Sequence, residues 1–227
     1  MDRRRFLAQG LAASSACAMP LSLFAKGSTG DHIYLRSGNI STREFKLALK
    51  EAESQGRGVL LHPSSVINLS ENIQVGVSVT GSGGKIRIAD EAQLTFVNPK
   101  EGTQVITGVV FEGAVSFKNS KHQIVSRNSF NQGPSAHSVV NFQFNENKVD
   151  TKEGHGLYIS HDIESTISHN SISLYGAGHF ICLEESMKAS LVENQFGNKT
   201  SGLKPSLIVK NNSEINPQIE LKNNNLV

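Results

Sequence analysis

The stretch GHGLYISHDIESTISHNSISLYGA, residues 154–177, is followed directly by GHFICLEESMKASLVENQF, residues 178–196, and the two repeat each other at an offset of 24 residues without a gap. Each stretch opens with Gly-His, continues with alternating apolar residues and closes on Asn-x-apolar, at Asn170 and Asn194. A period of roughly 20 to 50 residues is typical of solenoids, whose units bury their apolar faces only against their neighbours. The repeat therefore predicts a solenoid.

Short β-rich segments separated by Gly, Asn or Ser occupy the chain upstream of this repeat. No Asn-Gly turn of the kind that closes antiparallel hairpins occurs among them, which disfavours an antiparallel sandwich. The predicted strands are residues 59–61, 75–80, 86–88, 94–97, 105–111 and 115–117. An apolar strand followed by Asn-x-apolar recurs at Asn128, Asn147, Asn170 and Asn194, and less regularly at Asn211 and Asn223.

The recurring asparagine has a physical explanation in a coil whose turns lie directly over one another. Equivalent side chains then stack about 4.8 Å apart. An asparagine at a corner bonds the backbone and the next asparagine in the column. It satisfies polar groups that a buried corner would leave unpaired, and it tolerates left-handed backbone better than most residues. We expect these asparagines to occupy one corner of every coil.

One helix is predicted near the start, over residues 41–55. Phe45, Ala48, Leu49 and Ala52 are spaced so that one face is apolar. Ser41 followed three residues later by Glu44 is a capping box, and a glycine at position 56 predicts the end.

The first residues of the chain predict an export signal. Twin arginines followed by Phe6 and Leu7 resemble the twin-arginine (Tat) signal, and the uncharged run over residues 8–25 is too short and too polar for a membrane span. The resemblance implies a periplasmic or secreted protein, with a signal over residues 1–25 and one domain over residues 26–227. Cleavage fits after Ala18 or Ala25, and a lipoprotein site at Cys17 is the weaker alternative.

Removal of this signal changes the charge and cysteine content. The 22 basic and 20 acidic residues become 19 of each, so the mature chain is neutral and nucleic acid is not expected as a partner. No membrane span is expected once the signal has been removed. Cys182 becomes the only cysteine, which rules out a disulfide within the mature chain.

A capping helix followed by strand, turn and Asn-x-apolar rungs resembles the parallel β-helix of the pectin lyase-like superfamily, over residues 31–227 and most specifically over 150–198. The resemblance implies an all-β, single-stranded right-handed parallel β-helix with an N-terminal capping α-helix. The helix would close one end of the core, where exposed apolar side chains and strand edges invite association. No equivalent cap is visible at the other end, so oligomer contact, a partner or a polar last rung is expected there.

In that superfamily the asparagine corner lies between the second and third strands of each rung, and enzymes place their sites on the outer face of the first strand and the adjoining loops. The resemblance makes residues 165–169 a second strand, 171–174 a third strand, 175–178 a loop and 179–185 the next first strand. Alternation points Leu157, Ile159, Ile181 and Leu183 inward. The residues expected to point outward are Tyr158, Ser160, Phe180, Cys182 and Glu184.

Three histidines are predicted to form a column about 5 Å apart, because His155 and His179 begin first strands and His137 fits the same place one rung earlier. Strict alternation points them inward, whereas the first residue of a strand often belongs to the turn. Three interpretations stay open. The column is a structural ladder, a site for sugar binding or acid–base chemistry, or a zinc or copper site without an evident third ligand.

Aromatic and charged residues flank this column. Tyr158, Tyr175 and Phe180 either stack on sugar rings or cover a neighbouring rung. Carboxylates and imidazoles meet at the far end of the same strands, where they suit glycoside hydrolysis, calcium binding or simply solvated turns. The residues of that group are His161, Asp162, Glu184 and Glu185. The cations available to neutralise a uronic acid are Arg127, Lys152 and Lys204.

These patterns predict an exported protein that binds or acts on a polysaccharide through the first-strand groove. The first hypothesis is a lyase, epimerase or hydrolase, and the second is a non-catalytic binding or periplasmic assembly protein, with metal handling a third possibility. No cofactor is specified by the sequence. The expected catalytic residues are His155, His179 and Glu184, and the expected substrate-binding residues are His137, Tyr158, His161, Asp162, Tyr175, Phe180, Glu185 and Lys204.

Overall fold

The computed structural model describes residues 31–98, 102–199, 207–210 and 218–226. Over these residues the chain is a parallel β-solenoid, as the repeat predicted, with one helix in the described residues. The predicted export signal, Lys204 and Asn211 lie outside the described residues.

The strands are short, with two to six residues each. In chain order they are His32–Leu35 (β1), Gly38–Ser41 (β2), Gly58–Leu61 (β3), Ser65–Leu69 (β4), Ile73–Val75 (β5), Val79–Thr80 (β6), Lys85–Ile88 (β7), Leu94–Val97 (β8), Gln104–Thr107 (β9), Val110–Glu112 (β10), Val115–Ser120 (β11), Gln123–Ser126 (β12), Ser129–Phe130 (β13), Ser135–Val139 (β14), Phe142–Asn145 (β15), Lys148–Thr151 (β16), Leu157–Ser160 (β17), Ser165–Ser168 (β18), Ser171–Leu174 (β19), Ile181–Glu184 (β20), Lys188–Val192 (β21), Gln195–Asn198 (β22), Leu207–Lys210 (β23), Gln218–Lys222 (β24) and Asn225–Leu226 (β25). The helix α1 is Thr42–Gln55.

Each strand pairs in parallel with the equivalent strands of the neighbouring coils, which builds three sheets. The first-strand sheet has the order β5-β8-β11-β14-β17-β20-β23, and its seven strands mark about seven turns. The second-strand sheet has the order β1-β3-β6-β9-β12-β15-β18-β21-β24. The third-strand sheet has the order β2-β4-β7-β10-β13-β16-β19-β22-β25.

The 24-residue sequence repeat is the vertical step between two of these coils. Leu157 lies opposite Ile181 and Ile159 lies opposite Leu183 where β17 pairs with β20. All four side chains are buried. The predicted inward face of the first strands is therefore confirmed.

Two predicted strands each prove to be two strands with a corner between them. Residues 75–80 are divided between β5 and β6, and residues 105–111 are divided between β9 and β10. Gly108 has a φ of 70°, a left-handed conformation that glycine adopts without strain and that turns the chain. Val77 and Val109 remain buried through the corners, so the apolar pattern did not reveal the turns.

The helix α1 has the predicted caps. The Ser41 hydroxyl accepts from the Glu44 backbone N–H at 3.3 Å, and the Glu44 carboxylate accepts from the Ser41 N–H at 2.7 Å. Gly56 ends the helix with a φ of 63°. The apolar face contacts β1 to β4 and so closes the N-terminal end of the core, with Phe45, Ala48, Leu49 and Ala52 buried.

Phenylalanine rings stack along the middle of the core. Phe96 and Phe117 have centroids 5.5 Å apart, and Phe111 and Phe130 have centroids 5.0 Å apart. Offset-stacked aromatic pairs stabilise beyond the area that they bury, by about 1 kcal/mol each. The stacking also fixes the register of the coils, since a slip of one residue would turn each ring outward.

A buried column of asparagines runs along the corner between the second and third strands, as predicted. Each backbone N–H donates to the side-chain oxygen of the next asparagine, at 3.0 Å from Asn128 to Asn147, 2.8 Å from Asn147 to Asn170 and 3.0 Å from Asn170 to Asn194. Each side-chain nitrogen also donates to a backbone carbonyl one rung earlier, such as Asn170 Nδ2 to Phe144 O at 2.7 Å. The column satisfies the polar groups of a buried corner.

Two details of that prediction are wrong. The column continues to Asn224 and not to Asn223, because the Asn194 N–H donates to Asn224 Oδ1 at 3.0 Å. The left-handed residue is the one before each asparagine, since the turn must be complete before the asparagine side chain can point into the corner. These residues have φ values of 50° to 56° and are Arg127, Glu146, His169, Glu193 and Asn223.

The C-terminal end of the solenoid exposes core positions. Leu221 and Leu226 are 58% and 78% exposed, although Leu191 and Phe196, one coil earlier in register, are buried. No helix in the described part of the chain combines the length and apolarity that crossing a membrane requires.

Candidate functional site

The outer face of the first-strand sheet carries two columns of side chains in register. The polar column, as we name it, lies at the ends of the strands. The other column lies two residues earlier in each strand and includes Ser135, Tyr158 and Cys182. The polar column consists of Lys118, His137, Ser160, Glu184 and Lys210.

The polar column places a cation at each end and a carboxylate between them. Neighbouring residues are about 4.8 Å apart along the coil axis. The Ser160 hydroxyl and His137 Nδ1 share a hydrogen bond of 2.7 Å. Ser160 is itself buried, so it supports the histidine and is not an accessible nucleophile.

Four rings form a continuous run beside this column. The centroids of His137 and Tyr158 are 5.4 Å apart, those of Tyr158 and His155 are 5.8 Å apart, and those of His155 and His179 are 5.2 Å apart. The planes of the two last histidines are inclined by 20°. The predicted stacking of His155 on His179 is therefore present.

The prediction that His137 continues the same column is wrong. His137 lies within β14 and faces Ser160 in register, whereas His155 precedes β17. The asparagine corners of these two rungs, Asn147 and Asn170, are 23 residues apart, a step that His137 and His155 do not share. Tyr158 occupies the space between the two imidazoles. All three histidines are partly exposed and do not point into the core.

Burial holds two of these imidazoles in the neutral form. Burial, followed by the charges of Lys118 and His161, lowers the pKa of His137, and Glu184 acts weakly in the opposite direction. Burial, followed by His179 and Lys210, lowers the pKa of His155, again against Glu184. Both rings are therefore neutral near pH 7.

The two nitrogens of His155 differ in their surroundings. His155 Nδ1 is buried and has no hydrogen-bond partner. Nε2 is then the nitrogen that can meet a ligand, and in the neutral tautomer that carries its hydrogen on Nδ1 it can accept a proton there.

Tyr158 is tied to the polar column through its hydroxyl, which donates a hydrogen bond to the Glu184 carboxylate. This bond, reinforced by burial, raises the pKa of Tyr158. Tyr158 is therefore protonated near pH 7 and serves as a hydrogen-bond donor, while its ring is stacked on that of His155. Glu184 orients Tyr158 by accepting this hydrogen bond. Tyr158 lines the cleft described below, whereas Glu184 does not.

A cleft of about 790 Å³ opens beside the ring run, where the third strands lead into the first strands. The loops between the third and first strands lengthen from coil to coil, over residues 113–114, 131–134, 152–156 and 175–180. Residues from the three longer loops line the space. Its lining includes Asn131, Asp150, Lys152, His155, Tyr158 and Tyr175.

Glycines allow the coils to approach closely at this corner. A Cβ atom on Gly178 would overlap the backbone oxygen of Gly154 one rung below. Gly154 itself has a φ of 76°, which an L side chain rarely adopts. The contact brings the backbones preceding His155 and His179 together, which allows the two rings to stack.

Two predicted site residues lie in the interior. Phe180 is buried and stacks on Phe196 with centroids 4.9 Å apart; it precedes β20, so the alternation of that strand does not apply to it. Asp162 is also buried and accepts a hydrogen bond of 2.5 Å from the Ser165 hydroxyl. Burial raises the pKa of the Asp162 carboxyl. Neither residue can contact a ligand on the outer face.

The remaining predicted residues are divided between the cleft and the opposite ends of the first strands. Tyr175 lines the cleft and is 50% exposed. His161 Nε2 and a Glu185 carboxylate oxygen lie 2.8 Å apart at the turn after the first strands, and neither residue lines the cleft. Lys152 lines the cleft, whereas Arg127 lies at the asparagine corner beside Glu146, 4.0 Å away.

Sequence reasoning does not identify the polar column as a unit. Neither Lys118 nor Lys210 is predicted as a site residue, and for Ser160 the only prediction is that its side chain points outward. The sequence does contain a pattern that could have identified this column. Successive corner asparagines, from Asn128 to Asn194, are separated by 19, 23 and 24 residues. The same three steps lead from Lys118 to His137, Ser160 and Glu184.

Within the described residues, no group of three or more His, Cys, Asp or Glu side chains is arranged to hold a metal ion. The fold and this face define a β-solenoid with an open polar cleft on its first-strand side. Comparison with protein families found no match to the chain, and comparisons with curated proteins and with solved structures also found none.

Proposed function

We propose that this protein is an exported β-helix protein of the pectin lyase-like type that binds a polysaccharide in the cleft and acts on it by abstracting a proton. The observation that carries the proposal is that the neutral imidazole of His155, stacked on Tyr158, lines the cleft together with Lys152. A neutral imidazole is the side chain best suited to accept a proton near pH 7.

The cleft suits a carbohydrate because it combines aromatic faces with hydrogen-bonding groups. Tyr158 and Tyr175 both line it, and tyrosine rings offer an apolar face with a polar edge. Asn131 and Asp150 provide an amide and a carboxylate for sugar hydroxyls. Sites of this kind hold a ligand through apolar contact and orient it through a few polar groups.

A uronic acid unit would meet the groups that an elimination requires. Lys152 would neutralise the sugar carboxylate, and His155 Nε2 would take the proton from the carbon next to it. The electron pair left behind forms a carbon–carbon double bond as the glycosidic bond breaks, and the departing oxygen takes a proton from water. Return of the proton to the opposite face of the carbon, in place of bond breakage, would give an epimerase.

Hydrolysis is supported less well than proton abstraction. Glycosidases use two carboxyl groups flanking the bond that they break. Of the carboxyl groups expected to meet there, Asp162 is buried, and Glu184 already accepts a hydrogen bond from the Tyr158 hydroxyl. The predicted pair of carboxyl groups therefore does not face the cleft.

A non-catalytic binding or periplasmic assembly protein is the second candidate. The observation that favours it is the packing of His155 between Tyr158 and His179, which also suits a structural ladder of rings.

The test is to incubate the purified protein with acidic and neutral polysaccharides and to measure ultraviolet absorbance of unsaturated products, reducing ends, deuterium uptake from solvent and retention of the protein by each polymer. We expect product or exchange from an acidic polymer, lowered about 100-fold or more in His155→Gln. The matched control is His169→Gln, a histidine at the asparagine corner, which should keep full activity.

The outcomes separate the candidates. Retention by a polymer without product or exchange would assign the binding function. Neither binding nor product with any polymer would overturn the proposal. Export is tested separately by replacing Arg3, Arg4 and Arg5 with lysine, which should retain the protein in the cytoplasm if the Tat resemblance is correct.

A further inference from the structure

The two ends of the solenoid are built differently. The helix α1 covers the N-terminal end, with Phe45 and Leu49 buried against the first coil. At the C-terminal end, Leu221 of β24 lies in register with Leu191, which is buried one coil earlier. Leu221 is more than half exposed, so this end retains the apolar surface that α1 removes from the other.

The last described strands at this end have a described partner along one edge only. Within the described residues, β24 pairs only with β21 and β25 pairs only with β22. A strand edge with free N–H and C=O groups beside exposed apolar side chains is a template for another chain. The two features lie together on one end of the molecule.

We propose that two copies of this chain associate through their C-terminal ends, with β24 antiparallel to β24 of the second copy and Leu221 on the two-fold axis. The sequence of β24 is self-complementary in this register. Glu220 then lies opposite Lys222 of the second copy, twice, on the outer face of the new sheet. Opposite charges facing each other across strands stabilise the pairing.

Charge selects this register over the adjacent one. An axis through Glu220 would place the two Glu220 carboxylates opposite each other, which is destabilising. Within one chain, Lys222 and Glu220 lie 2.6 Å apart and more than half exposed. They can therefore exchange partners between copies with little change in exposure.

The helix α1 makes the assembly a closed dimer. A head-to-tail contact would have to place the C-terminal end of one copy on the N-terminal end of the next, and α1 occupies that surface. Only the end-to-end arrangement with two-fold symmetry is open, and such contacts do not propagate into fibres. This inference does not rest on the proposed polysaccharide function.

The first test is the mass of the protein in solution by light scattering and sedimentation over a range of concentrations. We expect a dimer for the wild type and a monomer for Leu221→Lys, with unchanged circular dichroism. The matched control is Ile163→Lys, which alters an apolar residue that is 50% exposed on the side of the solenoid and should stay dimeric. A monomeric wild type, or a monomeric Ile163→Lys, would overturn the proposal.

A charge exchange tests the register. Glu220→Lys and Lys222→Glu should each raise the dimer dissociation constant about tenfold, since each creates two like-charge contacts. The double variant should restore the wild-type value. Failure of the double variant to restore dimerisation would contradict antiparallel pairing centred on Leu221.

Discussion

The imidazole rings of His155 and His179 lie face to face on successive coils, 5.2 Å apart. Two positive charges at this distance would repel each other, and the interaction contributes to the lowered pKa of His155. The stack thus links the stability of two coils to the protonation of one ring. The ring is the same one that we propose as the proton acceptor.

The free energy of unfolding should fall as the pH is lowered from about 7 through the ordinary histidine range near 6.5. The pKa values of His155 and His137 are lowered in the folded protein, mainly by burial, so the unfolded chain binds protons first. The fall should level off below the lowered pKa values. Chemical denaturation at a series of pH values measures it.

Histidine variants test whether His155 and His137 cause this pH dependence of the free energy of unfolding. His155→Gln and His137→Gln should each flatten the fall, by up to one bound proton. An equally steep fall in the double variant His155→Gln, His137→Gln would show that other groups cause it.

Asn170→Ala should destabilise the protein by about 3 kcal/mol, because it leaves the Asn147 N–H and the Phe144 carbonyl without partners inside the solenoid. Thermal or urea unfolding measures the loss. The exposed Asn39 in β2 is the control, and Asn39→Ala should change stability by less than about 0.5 kcal/mol. Similar losses for the two variants would argue against the ladder.

Gly178→Ala should destabilise the protein by about 1–3 kcal/mol, because its Cβ would overlap the Gly154 carbonyl. The displaced loop should also separate His155 from His179, which NMR titration of the imidazoles would detect as a rise in the His155 pKa. Gly197→Ala is the matched control, since its Cβ would have only ordinary contacts, the nearest at 3.5 Å. It should leave both measurements nearly unchanged.

Phe180→Ala should affect stability, whereas Tyr175→Ala should affect polysaccharide binding. Phe180 is buried against Phe196, so its loss should lower stability by about 3–5 kcal/mol. Tyr175 lines the cleft and is half exposed, so its loss should weaken polysaccharide retention with little change in stability. Affinity electrophoresis and thermal unfolding of the two proteins separate these roles. Equal loss of stability would remove Tyr175 from the proposed site.

Much of the fold could be predicted because the offset of the sequence repeat equals the residue offset between paired strands of neighbouring coils. The offset that aligns Gly154 with Gly178 in the sequence also pairs Leu157 with Ile181. The helix was predictable to its caps, since Ser41, Glu44 and Gly56 act locally. The corners at Val77 and Val109 were not, because those side chains continue the apolar pattern through a turn.

The candidate site was predicted only in part because it depends on loop lengths. The stacking of His155 on His179 follows from a constant offset, whereas His137 belongs to a coil with a different one. Phe180 and Asp162 lie beside strands, where alternation gives no direction. The cleft itself arises from residues that extend beyond the sheet, and no repeat describes them.

The lengths of the coils show where this chain is free to change. The steps of 19, 23 and 24 residues between successive corner asparagines leave the hydrogen-bonded column intact, and the extra residues accumulate mainly in the loops around the cleft. Insertions and deletions at that one corner therefore alter neither the stacked rings of the core nor the order of the sheets. The residues that determine the fold and the loops that could change ligand specificity thus lie in different parts of each turn. Selection can therefore alter the loops without disturbing the fold.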